Sequence, residues 1–308
     1  MTKTVFIDGG AGTTGLEIAD RLAGRPDLSI LTLPDDRRKD AAARAEAIND
    51  ADFVILCLPD DAAREAVSLI ANDRTRMVDA STAHRTAPGW VYGFAELEPE
   101  QQDRIASARF VSNPGCYPTG FLALVRPLVR AGIIPADFPV TVNAASGYSG
   151  GGKAMIAEYE TATHRAFRPY GLTLAHKHAP EMQRHSGLTH APIFAPAVVD
   201  TYRGMVVEVP LPLYALPGAP SLDRVTQVLA EAYADSRIVR FSADAVTAVN
   251  IEENAGTDRM TLRVCGNPAT GQVRLIATLD NLGKGAGGAA VQNLNIMAGL
   301  DPAAGLVL

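Results

Sequence analysis

Gly10-Ala11-Gly12-Thr13-Thr14-Gly15 stands directly after the apolar run Val5-Phe6-Ile7 and directly before Leu16, Ala19, Leu22 and Ala23, which recur at helical spacing. No other feature narrows the choice of fold as much. A strand that turns into a helix within a few residues needs glycine for the tight turn. Glycines spaced G-x-G-x-x-G, with Gly9 before them, also let the backbone approach a pyrophosphate, whose charge then meets the N–H groups at the helix start. The bland alternative is a glycine-rich turn with no ligand. Alternation continues downstream: Leu28 to Leu33 reads as a second strand, Phe53 to Leu58 as a third, Asp61 to about Ala71 as a helix, and Met77-Val78-Asp79 as a strand. The third run is apolar throughout, the pattern of a parallel strand covered on both faces. This β-α-β order implies an α/β fold with a Rossmann-type, doubly wound parallel sheet.

Past Cys116 the texture changes. Val140 to Ala145, Ile193 to Val199, Met205 to Val209, Arg259 to Cys265 and Val273 to Leu279 read as strands with few helices between them. An α+β, largely antiparallel second domain follows. Leu211 to Pro220, with its prolines, reads as a loop or an excursion at a subunit contact. Residues 286–299 carry a last helical pattern through Ala290, Val291, Leu294 and Met297, expected to return to the first domain. The predicted division is 1–115 with 286–308 for dinucleotide binding, and 116–285 for catalysis, substrate binding and oligomerisation.

At 308 residues the chain has room for two ordinary domains. Its net charge of −6 offers no general surface for nucleic acid or an anionic membrane. Three cysteines, Cys57, Cys116 and Cys265, fit a reducing compartment better than a disulfide framework. With no leader pattern and no apolar stretch of spanning length, the expectation is a soluble, cytoplasmic protein.

The end of the second strand selects the dinucleotide: an acidic residue holds a ribose 2′-hydroxyl, whereas arginine accommodates a 2′-phosphate. Asp35-Asp36-Arg37-Arg38-Lys39 contains both signals. The consecutive cations favour NADP, with Arg37 and Arg38 as candidates. Leu58-Pro59 is expected beside the cofactor.

Asn113-Pro114-Gly115-Cys116-Tyr117-Pro118-Thr119 precedes Phe121, Leu122, Leu124, Val125, Leu128 and Val129 at helical spacing, so a helix should begin near Cys116. A thiol at a helix start becomes a thiolate more readily, and the thiolate is the nucleophile. A small buried hydrophobe is the competing reading. His176-Lys177-His178-Ala179-Pro180-Glu181 sets two imidazoles and a carboxylate close together, and histidine is the usual partner of a reactive thiol. No cluster with zinc spacing accompanies them, so no metal is expected. His84, His164, His185 and His190 lack such company and read as structural. Ser146-Gly147-Tyr148-Ser149-Gly150-Gly151-Gly152-Lys153 resembles an anion cradle; Ala154 after the lysine removes it from the P-loop pattern.

Together with the closing stretch Asp280-Asn281-Leu282-Gly283-Lys284-Gly285-Ala286-Gly287-Gly288-Ala289-Ala290-Val291-Gln292-Asn293, these motifs resemble the N-acetyl-γ-glutamyl-phosphate reductase family, in its shorter class, from residue 9 to residue 300. The resemblance implies NADPH-dependent reduction of an acyl phosphate to the semialdehyde, as a dimer or tetramer. Cys116 is then the nucleophile that forms a thioester, and His178, with His176 as the alternative, handles the proton. Ser146, Gly147, Ser149, Gly150 and Glu181 are expected at the acyl substrate, and Arg85 at its phosphate. Gly9, Gly10, Gly12, Thr13, Thr14 and Gly15 are expected along the cofactor, and Asn281, Gly283, Lys284 and Gly285 near its nicotinamide. Many members carry Ala at Gly10, an aromatic residue at Thr13, and S-A-D-F-R where this chain has Ser81-Thr82-Ala83-His84-Arg85. Aspartate-semialdehyde dehydrogenase and aminoadipyl-phosphate reductase share the plan, and specificity lies in the acyl pocket. A dinucleotide-binding redox sensor is the reading from a different class; it leaves the histidine pair and second glycine loop idle.

Overall fold

A computed structural model describes residues 2–161 and 166–308; His164 lies outside the described residues. The chain divides into two compact units, Met1–Gly115 with Ala286–Leu306, and Cys116–Gly285 with Val307–Leu308. Val307 joins the second unit because its N–H donates to Asp258 Oδ2 while its carbonyl accepts from the Asp258 N–H.

The first unit is a parallel sheet of six strands in the order β2-β1-β3-β4-β6-β5. They are β1 (Lys3–Asp8), β2 (Leu28–Leu31), β3 (Phe53–Leu56), β4 (Arg76–Asp79), β5 (Val91–Tyr92) and β6 (Phe110–Ser112). Helices α1 (Thr13–Leu22), α2 (Ala41–Asp50), α3 (Asp60–Ser68) and α4 (Gln101–Ser107) follow strands, and α9 (Gly288–Ala298) closes the unit. The apolar run of β3 is explained by two cores. Phe53 and Ile55 join Ile18, Leu22, Ile105, Val291 and Leu294 on one face, while Val54 and Leu56 join Ala47, Ile48, Ala63 and Ala66 on the other. Each of the large side chains among them, Val, Leu, Ile or Phe, stabilises the fold by about 1.5–3 kcal/mol on full burial. Strand β2 ends at Leu31, two residues earlier than its apolar pattern, because its partner β1 pairs with it only as far as Phe6. Strand β3 ends at Leu56, since Pro59 caps α3, and α3 stops at Ser68 rather than near Ala71.

The second unit holds a mixed seven-stranded sheet, ordered β11-β12-β13-β10-β7-β9-β8. Its strands are β7 (Thr141–Gly147), β8 (Phe167–Pro169), β9 (Ile193–Val199), β10 (Met205–Pro212), β11 (Val239–Phe241), β12 (Met260–Asn267) and β13 (Gln272–Leu279). Pairs β7–β9 and β11–β12 are parallel, the rest antiparallel. Strand β10 runs beyond Val209 to Pro212, into the stretch expected as loop. It pairs with β7 only through Glu208, so Pro210 and Pro212 lie where a missing N–H interrupts no ladder on that side.

Helix α5 (Cys116–Arg130) lies on this sheet with α7 (Ala179–Ser186) and α8 (Leu222–Ala232) beside it; α6 (Gly152–Thr161) follows the second glycine loop. Gly120 permits the close approach of α5, since a Cβ there would stand 2.7 Å from Val207. Pro127 inside α5 cannot donate to the Ala123 carbonyl four residues back, and the Tyr233 hydroxyl donates to it instead at 2.8 Å.

Candidate active site

In the first unit, the glycine loop joins β1 to α1. Gly9 has φ +87°, and a Cβ on it would lie 2.4 Å from the Cys57 carbonyl oxygen and 3.1 Å from Leu58 Cδ2. Leu58 therefore lies against the loop, and Pro59 heads α3. A Cβ on Gly15 would meet Gly10 Cα at 2.6 Å. The Gly12 N–H closes the turn on the Gly9 carbonyl at 2.9 Å. Gly12 caps α1 without a side-chain hydrogen bond, and no acidic residue stands in the first turn, Thr13 and Thr14 included. This helix start suits an anion, as a pyrophosphate requires.

Arg37 and Arg38 lie on the loop after β2, half-exposed, with Arg38 3.1 Å from Asp35 and Arg37 4.0 Å from Glu46. The sequence reading missed Arg44 of α2, which is buried and donates through Nε and Nη2 to Asp8 Oδ2 at 3.1 and 2.9 Å. Asp8 is the residue before Gly9, so this pair ties the loop to α2. Burial nevertheless raises the Asp8 carboxyl above the ordinary value, against the pull of Arg44. Burial also pushes the Cys57 thiol up to about 12, which makes it a poor nucleophile.

Arg85 is buried after β4, where Nε donates to the Asn113 carbonyl at 2.9 Å and Nη2 to the Ala80 carbonyl at 3.1 Å. Asn113 in turn donates through Nδ2 to the Ala286 carbonyl and accepts from Asn293 Nδ2, both at 3.0 Å. Asn113 is thereby held to Arg85 in the loop after β4 and to Ala286 and Asn293 of the closing segment. His84, which looked solitary in sequence, has Asp79 at 2.6 Å.

In the second unit, α5 begins at Cys116 itself. Gly285 lies against that residue: a Cβ on it would stand 2.9 Å from Cys116 Cβ and 2.9 Å from the Asp280 carbonyl. The next residue in α5, Tyr117, packs its ring against His176, His178 and Phe194, with centroids 6.2, 6.0 and 5.1 Å away. Its hydroxyl donates to the Ala197 carbonyl at 3.1 Å and receives Tyr170 Oη at 3.3 Å. Burial pushes the Tyr170 phenol up to about 12 and holds Tyr117 well above the ordinary value. Neither tyrosine was singled out from sequence; Tyr117 sat inside the cysteine motif, and nothing local marks Tyr170.

The two histidines differ. His178 caps α7, and its backbone N–H donates to His176 Nδ1 at 3.1 Å. Nδ1 of His176 is thus an acceptor, which puts the proton of the neutral ring on Nε2. Burial, with Lys177 adding to it, holds the His176 pKa below the ordinary value, while Glu181 opposes. Glu181 is buried in the first turn of α7.

Ser146, the last residue but one of β7, donates its hydroxyl to the Gly147 carbonyl at 3.0 Å. The N–H groups of Gly147 and Tyr148 donate to Gly204 and Thr201, and Asn281 Nδ2 donates to Ser149 Oγ at 2.8 Å while its Oδ1 accepts from the Gly204 N–H. Asn281 therefore clamps the second glycine loop within this unit. A Cβ on Gly150 would stand 3.3 Å from Ser146 Oγ. Gly283 and the buried Lys284 follow, and a Cβ on Gly283 would meet the Thr257 carbonyl at 2.1 Å.

Among the described residues no group of three or more His, Cys, Asp or Glu is placed to hold a metal ion, and no helix is long and apolar enough to cross a membrane. Residues 4–105 match the family described as semialdehyde dehydrogenase, NAD binding domain, and residues 116–281 match semialdehyde dehydrogenase, dimerisation domain. The N-acetyl-gamma-glutamyl-phosphate reductase of Brucella ovis is 53% identical over 97% of this chain and 100% of its own. N-acetyl-gamma-glutamyl-phosphate reductase 2 of a Nostoc strain is 50% identical over 98% of each. Among solved structures, aspartate semialdehyde dehydrogenase II of Vibrio cholerae complexed with ASA superposes with a TM-score of 0.72 at 14% identity, covering 97% of this chain and 98% of that one. The enzyme of Candida albicans solved with NADP gives 0.69 at 14% identity, with 97% and 99% covered. At such identity these structures share the fold alone. The chain belongs to the N-acetyl-γ-glutamyl-phosphate reductase family of the semialdehyde dehydrogenases.

Proposed function

We propose that the chain reduces N-acetyl-L-glutamyl 5-phosphate to N-acetyl-L-glutamate 5-semialdehyde and phosphate, using NADPH, as a cytoplasmic step of arginine biosynthesis. Cys116 attacks the acyl carbon, the bond to the phosphate oxygen breaks, and a thioester remains on sulfur. Gly9 to Gly15 would hold the pyrophosphate of NADPH, Arg37 and Arg38 its 2′-phosphate, and Asn281, Gly283, Lys284 and Gly285 its nicotinamide end; the bound cofactor would supply the hydride that reduces the thioester. The resulting thiohemiacetal collapses to the aldehyde and returns the thiolate.

His178 holds the proton for the developing oxyanion, and His176 acts as a positioning residue through its bond to the His178 N–H. Ser146, Gly147, Ser149, Gly150 and Glu181 receive the acyl group, and Arg85 receives the phosphate. The second sheet, with exposed Phe167 and Ile193, and the segment after β8, with exposed Leu172 and Leu174, take a second copy of the chain, in keeping with the dimerisation domain matched. Substrate and cofactor are small molecules; nucleic acid, membrane and metal play no part.

The observation that carries this reading is that Cys116 heads α5 while the adjoining Tyr117 packs on both histidines. Oxidation of N-acetyl-glutamate semialdehyde and of aspartate semialdehyde, each with NADP⁺ or NAD⁺ and phosphate, tests it. Phosphate-dependent turnover of the N-acetylated aldehyde with NADP⁺ is expected. Faster turnover of aspartate semialdehyde would sink the substrate assignment, and preference for NAD⁺ would sink the roles of Arg37 and Arg38.

A further inference from the structure

Asp79 ends β4 wholly buried, yet no step above uses it. Its carboxylate gathers the loop that follows, accepting from the Ser81 N–H at 2.8 Å and Ser81 Oγ at 2.7 Å, with His84 Nδ1 at 2.6 Å. The His84 ring lies flat on Trp90, centroids 4.2 Å apart and planes 12° from parallel, and Trp90 leans on Phe110 of β6. Stacking fixes the plane of the imidazole and the carboxylate fixes its rotation. On the other side of the loop, Thr82 donates its N–H and hydroxyl to Asp60 at the start of α3. The residue after His84 is Arg85, anchored on the carbonyls of Ala80 and Asn113.

We propose that Asp79 and His84 form a positioning pair for the phosphate of the substrate, setting residues 80–85 in the shape that presents Arg85. Six residues can turn without a buried carboxylate; Ser81 hydrogen-bonding to its own backbone region would suffice. A buried carboxyl carries a desolvation cost that only good partners offset, and Asp79 finds Ser81 and His84 as partners in the loop. It does so at the carboxyl end of a parallel strand, the edge at which open α/β sheets meet their ligands. The pair rests on the reading of Arg85 as the phosphate ligand.

Inorganic phosphate is the probe, titrated calorimetrically against the NADP⁺-loaded protein, with KM for phosphate measured in the oxidative direction. His84→Phe keeps a ring on Trp90 and removes the donor; His84→Asn keeps a donor near Nδ1. His84→Phe is expected to weaken phosphate binding and raise its KM about tenfold or more, the worth of a hydrogen bond to a charged group, with KM for NADP⁺ changed less than about twofold. His84→Asn is expected to recover most of that loss. Phosphate binding unchanged in His84→Phe, or phosphate and NADP⁺ weakened alike, overturns the pair. If that variant does not fold, Ser81→Ala removes one donor to Asp79 and is expected to weaken phosphate about threefold; no change overturns the pair. Arg85→Met separates the two readings: phosphate lost there but kept in His84→Phe rejects only the pair, whereas phosphate kept in Arg85→Met rejects Arg85 as ligand and the pair with it.

Discussion

At the end of β1 the first unit makes its candidate site by leaving side chains out. Gly9 and Gly12 expose backbone, the buried Gly15 lets α1 approach Gly10, and added atoms at Gly9 or Gly15 would strike the Cys57 carbonyl or Gly10. At the start of α5 the second unit does the reverse, crowding Tyr170, His176, His178 and Phe194 around Tyr117, the residue next to the thiol. Backbone N–H groups hold a fixed anion at any ordinary pH and have nothing to titrate. Imidazoles and thiols change charge, which suits bond making and exposes the cluster to pH. Binding a dinucleotide and transforming an acyl group thus call for opposite materials.

The sharpest way to separate the two regions is to disable one and watch the other. Cys116→Ser leaves the glycine loop untouched, so NADPH affinity, read by fluorescence titration, should stay within about twofold, while turnover falls at least about 10³-fold. Substantial reductase activity in this variant would falsify the covalent route.

The converse variant, Gly9→Ala, sets a methyl group 2.4 Å from the Cys57 carbonyl at a position with φ +87°. A loss of about 2–4 kcal/mol in stability and a marked loss of cofactor affinity are expected. In the folded fraction, alkylation of Cys116 by iodoacetamide should proceed at the wild-type rate. Slowed alkylation together with normal cofactor binding would reverse the assignment of roles.

The backbone site was open to reading from sequence because its parts are contiguous: strand, glycines and helix lie within twenty residues of one another. The β3 run was legible for a similar reason, since burial on both faces leaves no polar position. Helix α2 was not read, although Asp40 caps it by accepting from the Ala43 N–H at 2.7 Å; its alanines give little contrast between faces. The cluster around Cys116 depends on packing between distant segments. Tyr117 and Tyr170 are 53 residues apart, and Asp8 and Arg44 are 36 apart, so neither pair leaves a local trace. His84 was set aside because its partner Asp79 is a strand residue whose inward carboxylate no pattern announces. The bond from the His178 N–H to the His176 ring is likewise a product of the folded turn that no sequence pattern announces.

The smallest expected effect concerns that ring. Burial holds the His176 pKa below its ordinary value, so the folded protein resists protonating it. Above the unfolded value of about 6.5 the ring is neutral in both states and adds no pH dependence. As pH falls below that value, the unfolded chain takes up a proton that the folded ring refuses, and stability declines until the pH passes the lower folded pKa. His176→Asn keeps an acceptor, Oδ1, for the His178 N–H and has nothing to titrate. Its melting temperature should therefore fall less steeply than that of the wild type between about pH 7 and pH 5, with cofactor affinity unchanged. Carboxylates and the other histidines contribute equally to both proteins, so the difference isolates this ring. Parallel melting curves across that range would mean that the folded ring gains a proton as readily as the unfolded one, and His176 would lose its place as the neutral support of His178.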